Sequence, residues 1–590
     1  MPVSRTWRAP ALAMAMLALA VSGAAQQPYL NLDFETAVRG RPWAWCEYGN
    51  GYHRALDTST KVSGAQSEMI QDLNATTLGS GWYEYFPVND GKGHHIALSG
   101  YIRTDSVTQG SADLWLEVDG AGGMISYDSG PPDGVAGTKD WQAFTIDRDV
   151  SPDAVDISFG FALNGNGTAW FDNLSISVDG VSYLQGPPPY IGEPTAEQLA
   201  WVQKTANPFW TEDPTVPPDD LWPVAGMAGN AHIVGLGEGT HGTSEFFQMK
   251  HRLLEYLAAN KGFTIFAIEA NMPEAQLVND YVRYGVGDPR KVLEGMYFWT
   301  WNTQEVLNMI EWMRAYNQSG QGQIQFMGFD MQYGAVAMQN VRAFVASAEP
   351  GYLPTVNAAF ALAAPVGYNY LNGVTQSSGT VQAAANAVDA VRLHLIANRS
   401  AYLAGNPAST VDWVIQNALI VEQSTYVAIG DGFYRDACMA SNIDWILQQN
   451  PGAKVVLWAH DYHVSRADGA MGSYLAANHG SDYVVFGQIF HQGQYNAVNS
   501  SGLGANVATV SFPGAIEYVL HSTGMPKFIL DMRQASPADP GSSWLFGTTQ
   551  YRYIGASAVD GFLYTNHLTT DYDVLIFFDQ TNPSALLPFN

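Results

Sequence analysis

The stretch Ile233–Asn271 reads IVGLGEGTHGTSEFFQMKHRLLEYLAANKGFTIFAIEAN and decides the fold of the larger part of the chain. The apolar runs at its two ends predict buried strands, and the segment between them predicts a polar loop followed by a helix. Strand, loop, helix and strand in this order are typical of an α/β fold, which keeps its functional side chains at the carboxyl ends of the strands. Glu238, His241, Arg252 and Glu269 fall at such positions or on the adjoining helix, and they are the first candidates for an active site.

The same alternation continues to the C-terminus. From residue 197 onward, apolar runs that suit strands buried on both faces alternate with amphipathic segments such as Thr303–Asn317. Residues 338–449 hold several helical candidates and no convincing strand, which predicts a helical insertion that caps the site. Residues 197–590 are therefore expected to form an α/β domain with a mainly parallel sheet flanked by helices. The predicted strands are His232–Leu236, Thr264–Ile268, Ile324–Gly328, Lys454–Ala459, Tyr483–Ile489, Phe528–Asp531 and Val574–Phe578.

The first part of the chain follows a different pattern. Residues 26–182 contain short runs that alternate at period two and are separated by Gly, Asp, Asn and Pro, which predicts an all-β sandwich. Residues 183–196 are rich in Pro and Gly and predict a linker. A chain of 590 residues is long enough for two or more domains, so we expect a multidomain protein. The predicted strands of the sandwich are His94–Thr104, Ala112–Gly120, Trp141–Val150, Asp156–Gly165 and Ala169–Gly180.

The N-terminus has the features of a secretory leader. Arg5 and Arg8 precede the apolar run Ala11–Val21, and small residues stand before Gln26. An uncleaved membrane anchor is the alternative, but the run is short for a span of about 20 residues. We therefore expect residues 1–25 to be a signal peptide and the protein to be exported, to the periplasm or the extracellular space, without a membrane partner after cleavage.

Composition limits the classes of partner. The formal net charge is −28, with 55 acidic and 27 basic residues, so the field of the protein repels phosphate backbones and anionic lipids. Nucleic acid is excluded as an expected partner. With 47% hydrophobic and 14% charged residues, the chain has ample material for cores.

The segment GEGTHG carries the strongest chemical signal. Its glycines permit tight loop geometry after a buried strand, so Glu238 and His241 are expected to project over the strand ends. A carboxylate beside a histidine can fix its tautomer and raise its basicity, as a general base needs. On the following helix, Arg252 could clamp a carboxylate or an oxyanion, whereas Lys250 and His251 are expected on the solvated face.

Other charged residues follow predicted strands. Glu269 comes straight after an apolar run, so it needs a partner or a cavity, and a salt bridge to Arg252 is one alternative. His460 and His463 follow another strand in WAHDYHV, with a spacing that does not match the zinc-binding HExxH pattern. Asp330 either orients a histidine or caps the next helix.

No G-x-S-x-G segment is present, so a serine nucleophile has no candidate. Activation of water is the economical mechanism that remains. Either a histidine takes the proton from water, or the Glu and His cluster binds a metal that activates it, and residue types alone permit both.

Six segments in one order resemble the erythromycin esterase family. The resemblance runs from about Ala196 to the C-terminus and implies hydrolysis of an ester or lactone, with macrolides as the substrate class. It favours a route without a catalytic metal or other cofactor, in which His241 is the base, Glu238 and Glu269 position the base or the water, and Arg252, His460 and His463 line the site. The family pattern has Asn where this chain has Asp461. The six segments are GEGTHG, FFQMKHRL, FAIEAN, FWTWNTQEV, GFDMQ and WAHDYHV.

The N-terminal part resembles jelly-roll carbohydrate-binding modules in its opening NLDFE and closing WFDNLSI. The resemblance implies that Glu35 and Asp172 hold a structural calcium, and the alternative is that both are ordinary strand-end carboxylates. It also implies a glycan as a partner of this domain, bound on an aromatic platform, although large aromatic residues in a sandwich commonly belong to its core.

The sequence therefore predicts an exported hydrolase of esters or lactones. Two alternatives stay open. The leader and the sandwich also suit an esterase that acts on acylated glycans or another secreted metabolite. The alternative from a different functional class is a binding protein without catalytic activity, in which His460 and His463 bind haem or a metal.

Overall fold

The computed structural model describes residues 29–589, apart from 39, 50, 73–78, 121–122, 187, 189–190, 372–373, 375, 429–431, 500, 548, 559–560 and 566–567. The predicted signal peptide, residues 1–25, lies outside the described residues. In the described part of the chain, no helix is long and apolar enough to cross a membrane.

The N-terminal domain is built from antiparallel strands around one core. Its main sheet has the order β3-β6-β9-β7-β10-β5-β4, with β8 paired to β7 and β11 paired to β10. The elements are β1 (Ala37–Val38), β2 (Arg41–Pro42), β3 (Cys46–Tyr48), β4 (Tyr52–Asp57), β5 (Ser67–Asp72), β6 (Gly79–Tyr85), α1 (Val88–Gly91), β7 (His95–Gly120), β8 (Gly123–Asp149), β9 (Ala154–Asn164), β10 (Asn166–Val178) and β11 (Val181–Ser182).

Strand β7 belongs to both halves of this sheet. Its first half pairs with β10 and its second half with β9, while β8 runs beside it along nearly its whole length. Two of the predicted strands are therefore parts of one longer strand. The buried side chains include Phe34, Phe159, Phe161 and Phe171, which pack between the halves.

The C-terminal domain has a mixed sheet of nine strands, with the order β12-β19-β22-β17-β13-β16-β14-β15 and β18 beside β17. The six neighbours from β22 to β15 run parallel, whereas β12, β18 and β19 pair antiparallel with their neighbours. A separate hairpin is formed by β20 and β21. The strands are β12 (Asn207–Pro208), β13 (Ile233–Leu236), β14 (Ile265–Asn271), β15 (Gln325–Asp330), β16 (Val455–Trp458), β17 (Tyr483–Asn499), β18 (Gly502–Ala508), β19 (Lys527–Asp531), β20 (Thr549–Tyr553), β21 (Gly561–Thr565) and β22 (Val574–Thr581).

All seven strands predicted for this domain are present, because continuous apolar runs are what a sheet covered on both faces requires. Helices cover the sheet, and buried residues form one core on each side of it. The helices are α2 (Ala196–Thr205), α3 (Val224–Ala228), α4 (Ser244–Lys261), α5 (Met272–Tyr284), α6 (Pro289–Glu294), α7 (Gln304–Ser319), α8 (Ala335–Ala348), α9 (Leu353–Leu371), α10 (Ser378–Ala397), α11 (Arg399–Tyr402), α12 (Ala408–Val427), α13 (Gly432–Gln449), α14 (Asp461–Val464), α15 (Met471–His479), α16 (Ile516–His521) and α17 (Leu568–Asp571).

Six consecutive helices, α8 to α13, separate β15 from β16, and the described residues between these strands contain no strand. They occupy the region predicted as the helical insertion, starting three residues earlier than predicted. The two domains touch each other as well. Phe512 of the C-terminal domain packs against the N-terminal core. The segment predicted as the linker is tied to the C-terminal domain, because Tyr518 donates a hydrogen bond of 2.9 Å to Glu193.

Candidate active site

Four neighbouring parallel strands place the residues of the candidate site at one edge of the sheet. Their order is β13-β16-β14-β15, and each ends in or is followed by an ionisable side chain. Glu238 follows β13, His460 follows β16, Glu269 lies where the regular pairing of β14 stops, and Asp330 ends β15. Because carboxyl ends of parallel strands meet at one edge, side chains far apart in the sequence converge here.

Glu238 and His241 form a pair in which the carboxylate orients the imidazole. Glu238 Oε1 lies 2.9 Å from His241 Nδ1. The Glu238 side chain is fully buried, while 13% of the His241 side chain is exposed. A proton held on Nδ1 by this carboxylate leaves the lone pair on Nε2, which no hydrogen bond among the described residues occupies. The predicted partnership of these two residues is therefore present.

Lys250 and Trp458 hold the other oxygen of Glu238. Lys250 Nζ and Trp458 Nε1 donate to Glu238 Oε2 at 2.8 and 2.7 Å, and the ammonium group lies 4.4 Å from the centre of the Trp458 ring. Burial lowers the pKa of Lys250 to about 8, although Glu238 opposes the shift. The prediction that Lys250 and His251 lie on the solvated face is wrong, because both side chains are buried.

Arg252, which the sequence placed in the site, lies elsewhere. Residues two apart on a helix point about 200° apart around its axis. Because Lys250 faces Glu238, Arg252 faces the opposite side of α4, where its guanidinium binds Asp220 at 2.6 and 3.3 Å and the carbonyl of Pro217 at 3.1 Å. The structure does not bring Arg252 to the cluster, and the salt bridge considered between it and Glu269 is not formed.

Arg435 of α13 is the cation that the sequence reasoning missed. Its Nη2 donates to Glu269 Oε1 and to Asp330 Oδ2, both at 2.7 Å, and its Nε donates to Asp330 Oδ1 at 3.1 Å. Asp330 thus anchors an arginine rather than orienting a histidine. Burial alone would raise the pKa of Glu269, but His463, Arg435 and His241 outweigh it and lower the pKa well below its usual range. The adjacent charges of Arg435 and Asp436 near the start of α13 were the sequence signal for this residue.

His463 lies beside the same carboxylate. Its Nδ1 is 2.8 Å from Asp436 Oδ2 and its Nε2 is 3.4 Å from Glu269 Oε1. Burial would lower the pKa of His463, but Asp436 and Glu269 raise it above the ordinary value. His463 thus lies beside both Glu269 and Arg435, with its Nε2 3.2 Å from Arg435 Nη1.

His460 is held in the opposite state. Its Nδ1 accepts the N–H of Tyr462 at 3.3 Å, and its Nε2 lies 3.0 Å from the carbonyl of Ile554. Burial, together with the nearby His241 and His463, lowers its pKa well below the ordinary value. Its ring centre is 5.1 Å from that of His241, so it forms a neutral wall beside the base. His241, Glu238, Glu269, His460 and His463 are thus brought together as predicted.

Asp461, where the family pattern has Asn, lies under the loop rather than in the cluster. Its Oδ1 accepts the N–H of Gln488 at 3.1 Å, and the residue is buried against Gly237. Burial raises its pKa well above the usual range. Burial thus disfavours the charged form of the group by which this position differs from an asparagine.

Comparisons with known proteins agree with this geometry. The family model described as erythromycin esterase matches residues 258–581, more than half of the chain. The chain belongs to the erythromycin esterase family.

Erythromycin esterase type II of Escherichia coli is 26% identical over an alignment of 333 positions, which covers 50% of this chain and 78% of the relative. A crystal structure of a Bacillus cereus protein aligns with a TM-score of 0.60 and 26% identity, over 67% of this chain and all of the other. That of a succinoglycan biosynthesis protein aligns with a TM-score of 0.57 and 25% identity, over 66% of this chain and 98% of the other. Carbohydrate-binding modules match only 26–27% of the chain at TM-scores of 0.20–0.21, which carries no argument.

In this erythromycin-esterase-like site, two protein cations already pair with the carboxylates that a metal ion would have to bind. Lys250 and Arg435 neutralise Glu238 and Glu269, and the remaining carboxylate oxygens accept N–H donors. The residues present therefore do not fit a divalent ion. Nor do His460 and His463 offer a haem iron a free nitrogen, because both rings use both nitrogens.

The two candidate calcium ligands of the N-terminal domain do converge. Glu35 accepts the N–H of Ala65 at 2.8 and 2.9 Å, and Asp172 accepts the N–H groups of Val62 and Ser63 at 2.6 and 3.1 Å. Both carboxylates thus fix one loop through backbone donors. A calcium ion at these residues stays a prediction.

Proposed function

We propose that this member of the erythromycin esterase family cleaves a carboxylic ester or a lactone with water that His241 activates, without a serine nucleophile and without a catalytic cofactor. The Glu238–His241 pair carries the proposal. It supplies a buried carboxylate, an oriented imidazole that is partly exposed, and an Nε2 with no hydrogen bond among the described residues, which are the parts of a general base.

The other groups have consistent roles in that reaction. Nε2 of His241 takes a proton from water as the oxygen attacks the carbonyl carbon. The carbonyl oxygen then gains negative charge, and we assign its stabilisation to the guanidinium of Arg435, which His463 contacts at 3.2 Å. Collapse of the intermediate expels the alcohol oxygen, which receives the proton from His241. Glu238 and Lys250 act through His241 and are positioning residues.

A macrolide lactone is the first substrate class to test, because the related Escherichia coli protein bears the name erythromycin esterase. An acyl ester on a glycan is the second, because a similar structure is described as a succinoglycan biosynthesis protein. Export to the periplasm or extracellular space, argued from the leader, is part of the proposal and suits either substrate.

Erythromycin incubated with the purified mature protein and followed by mass spectrometry tests the proposal. The expected result is a product heavier by one water, and a decrease in kcat of about 10²–10⁴-fold in His241→Ala. His479→Ala is the matched control, because His479 also pairs with a carboxylate, Asp444, at 2.6 Å but outside the site.

An unchanged macrolide together with hydrolysis of para-nitrophenyl acetate would move the substrate to another ester. If His241→Ala retained full activity on every hydrolysed ester, the assignment of the base would be wrong. If the wild-type protein hydrolysed no ester at all, the proposed function would be wrong.

A further inference from the structure

One face of the N-terminal sheet gathers aromatic side chains that do not belong to its core. In the strand register Tyr48 stands opposite Gly81, Tyr83 opposite Gly160, and Gly160 opposite Trp115. Paired residues share a face, and so do residues two apart along a strand. Tyr85 and Tyr127 belong to the same face by these rules.

The rings lie along the sheet because two glycines leave room beneath them. A Cβ at Gly81 would come within 2.7 Å of the Tyr48 hydroxyl, and one at Gly160 within 2.7 Å of the Trp115 ring. The Tyr48 ring centre is 6.3 Å from that of Trp115, whose Nε1 donates to the Tyr48 hydroxyl at 3.2 Å. Tyr127 stacks on Trp115 at 6.1 Å.

This face is open to a ligand. Tyr48, Tyr85 and Tyr127 are 36%, 45% and 49% exposed, whereas Trp43 and Trp82 of the same domain are buried in its core. The aromatic residues of this domain are thus divided between its core and this face, on which Trp115 is buried against Tyr48 and Tyr127. Flat aromatic rings that are partly exposed and carry hydroxyl groups suit the apolar faces of sugar rings.

Carboxyl groups border the rings. Asp113 and Glu117 flank Trp115 on β7, and Asp156 lies on the same face of β9. Burial raises the pKa of Asp113 to about 6 and that of Asp156 to about 8, so both carboxyl groups release their protons less readily than usual. A carboxyl group can hydrogen-bond sugar hydroxyl groups in either protonation state. In a protein with a net charge of −28, such a border favours a neutral glycan over an anionic one.

The aromatic face continues into the active site of the other domain. Strand β3 lies against β21, and β8 lies against α13, the helix that carries Arg435. Burial raises the pKa of Tyr83 and of Tyr85, and Tyr553 and Tyr462 of the other domain add smaller effects in the same direction.

From Tyr553 the path to the base is short. The Tyr553 ring centre is 4.8 Å from that of His460, which is 5.1 Å from that of His241. Aromatic rings thus line the way from Tyr127 on the N-terminal domain to the general base on the C-terminal one.

We propose that the aromatic face and the His241 site form one continuous cleft, whose substrate is an acyl ester carried on a neutral glycan chain. The inference rests on the proposed ester hydrolysis. The sugar units lie on the aromatic rings while the ester of a terminal unit reaches His241. Water adds to the carbonyl carbon, the bond to the glycan oxygen breaks, and the products are a carboxylic acid and a free glycan hydroxyl group.

Chain length is the test. O-acetylated cello-, xylo- and manno-oligosaccharides of one to six units serve as substrates, with O-acetylated oligogalacturonates as the anionic series. We expect kcat/KM to rise at least tenfold with length in a neutral series and not in the anionic one. Hydrolysis at a rate independent of length in all series would overturn the inference and leave the proposed function standing. Hydrolysis of no ester would overturn both.

Variants test whether the gain in kcat/KM with chain length depends on the aromatic face. Tyr127→Ala is expected to reduce the gain with length about tenfold, and Tyr127→Phe to keep it because the ring remains. Tyr284→Ala removes a tyrosine that is 59% exposed on α5 and is the matched control. An equal loss in Tyr127→Ala and Tyr284→Ala would contradict the role of the aromatic face.

Competition distinguishes one cleft from two independent sites. An unesterified six-unit oligosaccharide from the best neutral series is expected to inhibit hydrolysis of para-nitrophenyl acetate competitively, because it spans both domains. Binding of that oligosaccharide in calorimetry without any inhibition would show two separate sites and overturn the proposal.

Discussion

At the scale of single residues, Lys250 is a cation fully enclosed between Glu238 and Trp458. Lys250→Met keeps the length of the side chain and removes its charge, so it leaves the buried Glu238 without its strongest partner. We expect kcat on any hydrolysed ester to fall about 10–100-fold, as for other groups that orient a reacting side chain. We also expect the acid limb of the kcat/KM profile to move to higher pH, because the base loses a nearby positive charge.

The pH profile distinguishes a role of Lys250 in positioning His241 from simple damage to the fold. Damage to the fold would lower the rate without moving the acid limb of the profile. Lys261→Met, at the far end of the same helix, is the control. An unmoved acid limb in Lys250→Met would contradict this role.

His463 makes a prediction about stability and pH. Its pKa is higher in the folded chain than the ordinary value, because Asp436 and Glu269 outweigh the effect of burial. It therefore contributes stability that is fully present below a pH of about 6.5 and is lost as the pH rises through the folded pKa. Chemical denaturation should show a decrease in the free energy of unfolding from pH 6 to pH 9 that is smaller in His463→Asn. His232→Asn, at an exposed histidine beside Asp482, should behave like the wild type, and equal decreases in all three proteins would refute the assignment.

The residues of this site were predictable in part. Glu238, His241 and Glu269 lie at or just after the carboxyl ends of buried strands. The position of a strand end can be read from the local sequence, without knowledge of distant contacts. The choice between Lys250 and Arg252 depends on which side of α4 meets the sheet edge. Charged residues on a helix usually face water, so nothing in the local pattern marked Lys250 as buried.

At the scale of elements, Arg435 ties helix α13 to the ends of β14 and β15. Arg435→Met would leave Asp330, a fully buried carboxylate, without its cation, which costs about 3–5 kcal/mol for a buried pair. We expect a corresponding decrease in the free energy of unfolding of the C-terminal domain, measured by denaturant titration, and a large loss of kcat.

Arg399→Met supplies the comparison within the same set of helices. Arg399 pairs with Asp412 at 2.6 Å at the surface, where an ion pair contributes about 0–1 kcal/mol. If both variants lost the same small amount of stability, Arg435 would not be the link between the helices and the sheet.

Elements were predicted best where one physical pattern dominates. The parallel strands are apolar on both faces and were all found. Strand β7 was predicted as two strands with Asp105, Ser106 and Gly110 between them, and only the last part of β8 was predicted. The structure accommodates such residues as irregularities in the register of a continuous strand. Arg435 and Asp330 lie on opposite sides of most of the helical insertion in the sequence. A local sequence pattern cannot predict a contact between residues so far apart in the chain.

At the scale of the whole molecule, the two domains are joined by more than the linker. Phe512 of the C-terminal domain packs against the N-terminal core, and Gly514 lies against Trp43, where a Cβ would come within 3.1 Å of the indole ring. This packing holds β3 and β8 beside the active site. The contact between domains should therefore affect both their common unfolding and the use of long substrates.

Phe512→Ser removes most of an aromatic side chain from this interface. Because Phe512 is only partly buried, we expect a cost below the roughly 3 kcal/mol of a fully buried phenylalanine. We expect calorimetry to show two separate unfolding transitions in the variant, because each domain has its own core and only the interface couples them. The rate on para-nitrophenyl acetate should fall less than the rate on a six-unit acetylated oligosaccharide, since only the longer substrate needs both domains in place. Phe589→Ser, at a half-exposed phenylalanine near the C-terminus, is the control. A Phe512→Ser protein that unfolds like the wild type and keeps the preference for long substrates would mean that the domains are positioned by the linker alone.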